Sequence, residues 1–98
     1  MPAFTTKEIN EQLQARPDWA KQGKTIGRSF QFAGFPDSIE FVRHVARKAQ
    51  KANHHPDIDI PFDKVTLALS THDEGGITEK DFALAAQADE IFTKYFTA

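Results

Sequence analysis

Apolar residues recur along this chain at two spacings, and the switches between them mark out its elements. Phe4, Ile9 and Leu13 lie at helical spacing behind Thr5 or Thr6, either of which can cap a helix, and Pro17 follows. This predicts a first helix ending near Arg16. After Trp19 and a turn around Gly23, residues 26 to 32 alternate well enough for a strand, with Phe30 and Phe32 on one face. Gly34 and Pro36 break that strand. Asp37 to Glu40 then has capping-box spacing, so a second helix is expected to open there. Its broad apolar face would carry Ile39, Val42, Val45, Ala46, Ala49 and Ala52. It must close near Asn53, because His55 precedes a proline and is biased away from helical geometry.

Further along, Ile58, Ile60 and Phe62 alternate with Asp57, Asp59 and Pro61, a short strand that the proline confines to a sheet edge or a bulge. Asp63-Lys64 is a tight connection. Val65, Leu67 and Leu69 then point one way while Thr66, Ala68, Ser70 and His72 point the other. Residues 73 to 76, Asp-Glu-Gly-Gly, read as a turn. In the last helix Thr78 would cap, Asp81 would sit at the third helical position and Ile77 would staple onto Phe82. Phe82, Ala85, Ala86, Ile91, Phe92 and Phe96 would form its buried side. Helix, one or two strands, helix, two strands, helix argues for an α+β two-layer domain, an antiparallel sheet with helices packed on one face. The open sheet face, small and polar, suits a binding floor or a subunit contact.

Composition narrows the picture without changing it. At 98 residues the chain is one domain, 1–98, with enough length for a modest core. Hydrophobic and charged fractions are ordinary, and a net charge of −2 gives no electrostatic reason to expect nucleic acid or an anionic membrane. There is no cysteine, which excludes disulfides, thiolate metal sites and thiol catalysis. No stretch approaches the ~18 apolar residues of a membrane span, and the N-terminus lacks the pattern of a secretory signal, so a cytoplasmic protein is expected.

Candidate chemistry gathers on histidine. Of the four, His44 lies mid-helix and reads as a partly exposed helical residue. His54 and His55 sit where a helix ends and a strand begins, His72 where a strand ends, and Asp81 in the first turn of the last helix. Rigid scaffolds present functional side chains at such element ends. If the two strands pair as antiparallel neighbours, His54 or His55 approaches His72. Spacing alone leaves the pair either polar loop surface or part of a site. Three imidazoles and an aspartate could bind zinc, but adjacent histidines rarely reach one ion and neither HxH nor HxxxH spacing is present. Acid–base chemistry fits better: near neutral pH one imidazole can donate a proton while another accepts one. With no activated nucleophile and no Gly-rich phosphate loop, this predicts proton transfer on a small polar substrate.

The stretches NHHPDI (53–58) and VTLALSTHDEGGIT (65–78), with Phe62 and with Asp81 followed by ALA (83–85), resemble the pterin-4a-carbinolamine dehydratase family. The likeness extends back through Trp19, RSFQF (28–32) and Phe41-Val42 and covers nearly the whole chain. It implies a four-stranded antiparallel sheet and loss of water from 4a-hydroxytetrahydropterin to give quinonoid dihydropterin, the step that restores the cofactor of aromatic amino acid hydroxylases. It implies no metal and no organic cofactor. It also implies a homo-oligomer, dimer or tetramer. His54, His55 and His72 match the family's active-site histidines, with His54 and His72 as the expected acid–base pair and His55 mainly binding the pterin. Pro56, Thr71, Asp73 and Glu74 match its pterin-contacting segments, and Asp81 matches an aspartate that would orient an imidazole. Two positions depart from the pattern. Gln50, one helical turn before His54, replaces an ionisable residue, and an amide can hydrogen-bond an imidazole but cannot balance its charge. Phe62 replaces a common Tyr. Some animal members also stabilise the dimer of a homeodomain transcription factor, so the competing expectation is an oligomeric binding module with little or no catalysis.

Overall fold

A computed structural model describes residues 2–97. Its elements are α1 (Thr6–Gln14), β1 (Ala20–Gln22), β2 (Thr25–Gln31), α2 (Phe35–Ala52), β3 (Asp57–Asp59), β4 (Lys64–Leu69), a 3-10 turn (His72–Glu74) and α3 (Glu79–Phe96). The strands form one antiparallel sheet in the order β1-β2-β4-β3, so the two longer strands are central and the two three-residue strands are the edges. The expected α+β two-layer, four-stranded architecture is the one observed.

Alternation on the central strands decides which face is covered. Ile26 and Phe30 on β2, and Val65, Leu67 and Leu69 on β4, are buried, while Ser29, Thr66 and Ala68 stay at least partly open. Ser29 faces Thr66 across the ladder, and their hydroxyls bond at 2.8 Å on the open side. On the covered side Phe30, Phe32, Phe41, Phe92 and Phe96 pack as one aromatic cluster, with Phe30 and Phe41 centroids 4.6 Å apart. Trp19 meets Phe30 edge-on at 6.2 Å. The fully buried Phe30 and Phe41 each contribute roughly 1.5–3 kcal/mol by leaving water.

A charged clasp closes the end of this cluster. Arg28, on the covered side of β2, lays its guanidinium 4.2 Å from the Phe30 ring centroid and donates to Asp89 of α3 at 2.6 Å. Arg16, just past α1, donates to the other Asp89 oxygen at 3.2 Å, and the Trp19 indole donates to both, at 2.9 and 3.0 Å. One carboxylate thus ties α3 to the end of α1 and to the sheet.

The helix ends follow the sequence in two cases out of three. Thr5 caps α1 in a full capping box with Glu8, and Thr78 caps α3 in one with Asp81. At α2 the expected box does not form. The helix opens three residues earlier, at Phe35 behind the cap Gly34, with no side-chain cap. Pro36 is already in its first turn, where the missing N–H costs nothing. That shift puts Asp37 and Ser38 inside the helix, and the Ser38 hydroxyl donates to the Gly34 carbonyl instead. The buried stripe is correspondingly Ser38, Phe41, Val45 and Ala49, with Ile39 and Val42 half-buried, whereas Ala46 and Ala52 are exposed. The large Phe41 ring, drawn into the aromatic cluster, sets the rotation of α2. His44 is half-buried and stacks on Tyr95 with centroids 4.8 Å apart.

Candidate active site

Two chain reversals build the site. The first ends α2. Asn53 takes the left-handed conformation (φ 51°), which Asn tolerates better than most residues. Its N–H bonds the Gln50 carbonyl, and the next N–H, that of His54, reaches back to Ala49 at 3.0 Å. This is a Schellman closure, and it takes His54 off the helical spiral and inward. The second reversal ends β4. Thr71 bridges Gly76, and the 3-10 turn between them projects His72 and Asp73 outward before Gly75 (φ 71°) returns the chain. Because β3 pairs antiparallel with β4, Asp57 opposite Ala68, the start of one strand lies beside the end of the other. The two reversals therefore meet.

Between them is an open cleft of about 260 Å³ lined by Asn53, His54, His55, Ser70, Thr71, His72, Asp73 and Lys80. Behind it Asp81, fully buried, accepts three hydrogen bonds. His54 Nε2 is 2.6 Å from Oδ1, and the Thr71 hydroxyl (2.8 Å) and the Thr78 backbone N–H (2.9 Å) donate to Oδ2. The capping aspartate and the histidine-orienting aspartate are thus the same side chain. Its place in the first turn of α3, where the helix dipole favours an anion, supports the charge. An ionised Asp81 only accepts, so His54 carries its hydrogen on Nε2. His54 Nδ1 has no protein partner, and among the described residues no buried side-chain nitrogen or oxygen is left unpaired. Nδ1 therefore reaches solvent, and the cleft is the space His54 lines. His54 itself is only 9% exposed, so it is held as firmly as a core residue while keeping one nitrogen open.

His55 is exposed and donates through Nε2 to Gln50 Oε1 at 3.0 Å. Gln50 thus meets His55 rather than His54, because the left-handed Asn53 ends the helical spacing that would have stacked residue 54 over residue 50. His72 is exposed at the rim. Of the residues expected in a site, His54, His55, Thr71, His72 and Asp73 line one cleft with Asp81 bonded behind them; Pro56 and Glu74 are not among the lining residues. Asn53, Ser70 and Lys80 line it without having been singled out. Ser70 belonged to the open-face alternation, and Asn53 flanks the histidine pair. Lys80 had no signal beyond its place beside Asp81. Among the described residues no group of three or more His, Cys, Asp or Glu side chains is placed to hold a metal ion.

Residues 2–91 match the family model described as pterin 4 alpha carbinolamine dehydratase. A Chloroflexus aurantiacus protein that carries the provisional name pterin-4-alpha-carbinolamine dehydratase is 58% identical over 91 residues, 93% of this chain and 98% of the relative. Among solved structures, the transcriptional coactivator/pterin dehydratase from Brucella melitensis superposes with a TM-score of 0.88 at 35% identity, covering 91% of this chain and 97% of that one. A pterin dehydratase-like protein identified as a RuBisCO assembly factor in the alpha-carboxysome superposes at 0.64 with 25% identity, over 76% of this chain and 88% of that one.

Proposed function

The chain belongs to the pterin 4 alpha carbinolamine dehydratase family, and from that membership we propose that it removes water from a 4a-hydroxytetrahydropterin by histidine acid–base catalysis. The observation that carries the reading is the convergence of His54, His55 and His72 on one cleft, with a buried carboxylate behind His54. In the reaction the N5–H proton passes to one imidazole, the N5 electron pair forms the C4a=N5 double bond, and the C4a–O bond breaks as a second imidazole protonates the departing hydroxyl. The products are quinonoid dihydropterin and water. One proton is taken and one is given, so the site needs no oxidant and no cofactor. His54 and His72 are the acid–base pair in this reading. His55, exposed and steadied by Gln50, binds and orients the pterin, with Asp73 lining the same cleft. Each proton transfer of this kind contributes on the order of 10²–10⁴ in rate. We place the activity in tetrahydrobiopterin-type cofactor recycling in the cytoplasm, after an aromatic amino acid hydroxylase, and carried by a homo-oligomer.

The names of the two solved relatives, a coactivator and an assembly factor, favour a second reading in which the same fold serves as a binding module. One assay separates the two. Freshly generated 4a-hydroxytetrahydropterin is followed by absorbance as quinonoid dihydropterin forms, against the spontaneous rate, with wild type and with His72→Ala. Acceleration by wild type that is lost in His72→Ala is expected. A folded wild type that leaves the spontaneous rate unchanged would overturn the enzyme reading in favour of the binding module.

A further inference from the structure

Thr71 lies in the segment that the family likeness assigns to pterin contact, yet every polar group it owns is already engaged inside the protein. Its backbone N–H donates to the Gly76 carbonyl at 2.8 Å, and its own carbonyl accepts from Glu74 and Gly76. Its hydroxyl has one hydrogen, and that hydrogen goes to Asp81 Oδ2 at 2.8 Å. The Thr78 hydroxyl, also 2.8 Å away, must then be the donor to Thr71 Oγ1, because Thr71 has no second hydrogen to give. Thr78 Oγ1 in turn accepts from the Lys80 N–H at 3.2 Å. The result is a one-way chain of donors running from the α3 backbone through Thr78 and Thr71 to Asp81, the carboxylate that also accepts from His54. Thr71 and Thr78 are both buried, so water does not replace either link.

We infer that Thr71 is a positioning residue for His54, its hydroxyl hydrogen committed to Asp81 and not to the substrate. Its hydroxyl fixes the rotation of the Asp81 carboxylate so that Oδ1 faces His54 Nε2. This holds the imidazole as the Nε2–H tautomer and reserves Nδ1 for proton exchange with whatever occupies the cleft. The inference takes the dehydratase reading above as its setting, but it concerns a property of His54 that exists without substrate. A substrate that drew the Thr71 hydrogen to itself would have to release Asp81, and with it the tautomer.

The test uses wild type, Thr71→Val and Thr71→Ser, each with ¹⁵N-labelled histidine, read by the nitrogen and proton shifts of His54 in the NMR spectrum. Wild-type His54 should be the Nε2–H tautomer when neutral, with a strongly hydrogen-bonded Nε2 proton. Thr71→Val should mix the tautomers and lower kcat by up to about 10²-fold, the scale of a misplaced catalytic group, with KM little changed. Thr71→Ser, which keeps the hydroxyl, should restore both readouts. A wild-type His54 found as the Nδ1–H tautomer overturns the inference without any variant, and so does a folded Thr71→Val whose His54 shifts match wild type. If Thr71→Val does not fold, Thr71→Ala, which removes the same hydroxyl, is read in its place, and His54 shifts matching wild type there overturn the inference. A raised KM with kcat unchanged in Thr71→Val would instead make Thr71 a substrate contact. Failure of the dehydratase reading is distinguishable, because it removes the kinetic readout and leaves the NMR one standing.

Discussion

Two aspartates on one helix carry the polar architecture of this molecule, and they are used in opposite ways. Asp89 meets two arginines and an indole N–H, donors that stay in place at any ordinary pH. Roughly two turns earlier, Asp81 meets a threonine hydroxyl, a backbone N–H and one imidazole, the only partner of the three that can change its charge near neutrality. Asp89 is slightly open to solvent and borders a shallow surface hollow. Asp81 is sealed, and its imidazole opens onto the cleft. A carboxylate saturated by permanent cations is a clasp. A carboxylate whose neighbour has a spare nitrogen in a cleft suits the proton transfer proposed above. Charge count alone does not separate the two; the identity of the partner and its remaining valence do.

Exchanging each carboxylate for an amide should break the comparison most sharply. Asp81→Asn leaves one acceptor oxygen for three donors, so His54 loses its fixed tautomer. The dehydration rate above background should fall by about 10²–10⁴, measured by the pterin assay under conditions where circular dichroism shows a folded chain. Asp89→Asn should do the reverse. Removing one partner of a largely buried ion pair leaves Arg28 over the Phe30 ring with only the exposed Asp18 carboxylate, 3.7 Å away, to balance it, at a cost of about 3 kcal/mol in urea unfolding, with kcat within about twofold of wild type because no residue lining the cleft is touched. If Asp89→Asn loses activity and keeps its stability, the division of labour is wrong.

Smaller changes sharpen the edges of the contrast. Arg16 is about a third exposed, so Arg16→Ala should cost only about 0.5–1 kcal/mol, well below Asp89→Asn, in the same unfolding experiment. Gln50→Glu gives exposed His55 a carboxylate partner that favours its protonated form. An exposed pair of this kind changes matters by only about twofold, seen as a shift in KM for the pterin and not in kcat. A large kcat effect there would move His55 from binding into the proton transfers.

What was legible in the sequence follows the range of each interaction. The capping boxes at Thr5/Glu8 and Thr78/Asp81 are contacts over three residues; the second can be read directly, while the first narrows only to a cap at Thr5 or Thr6. The alternation of Val65, Leu67 and Leu69 against Thr66 and Ala68 gave a strand and its buried face, because a period of two admits no other assignment. The box expected at Asp37 failed where two local signals competed. Proline in the first helical turn and the demand of Phe41 for the aromatic cluster outweighed a favourable capping spacing. The Asp89 clasp left no local trace, since its partners lie 61 to 73 residues away along the chain.

By itself the sequence determined the three helices, the strands at residues 26–32 and 65–69, the cap of the last helix and the presence of histidines at element ends, all properties of short windows where spacing and side-chain type decide. Only the tertiary structure decided which histidine is buried, which nitrogen it leaves open, and that Gln50 serves His55. Those follow from a left-handed turn at Asn53 and from Thr71, Thr78 and Asp81 closing over His54. A hydrogen-bond direction is set by the acceptor at the end of its chain, and that acceptor is reached only once distant segments have packed together.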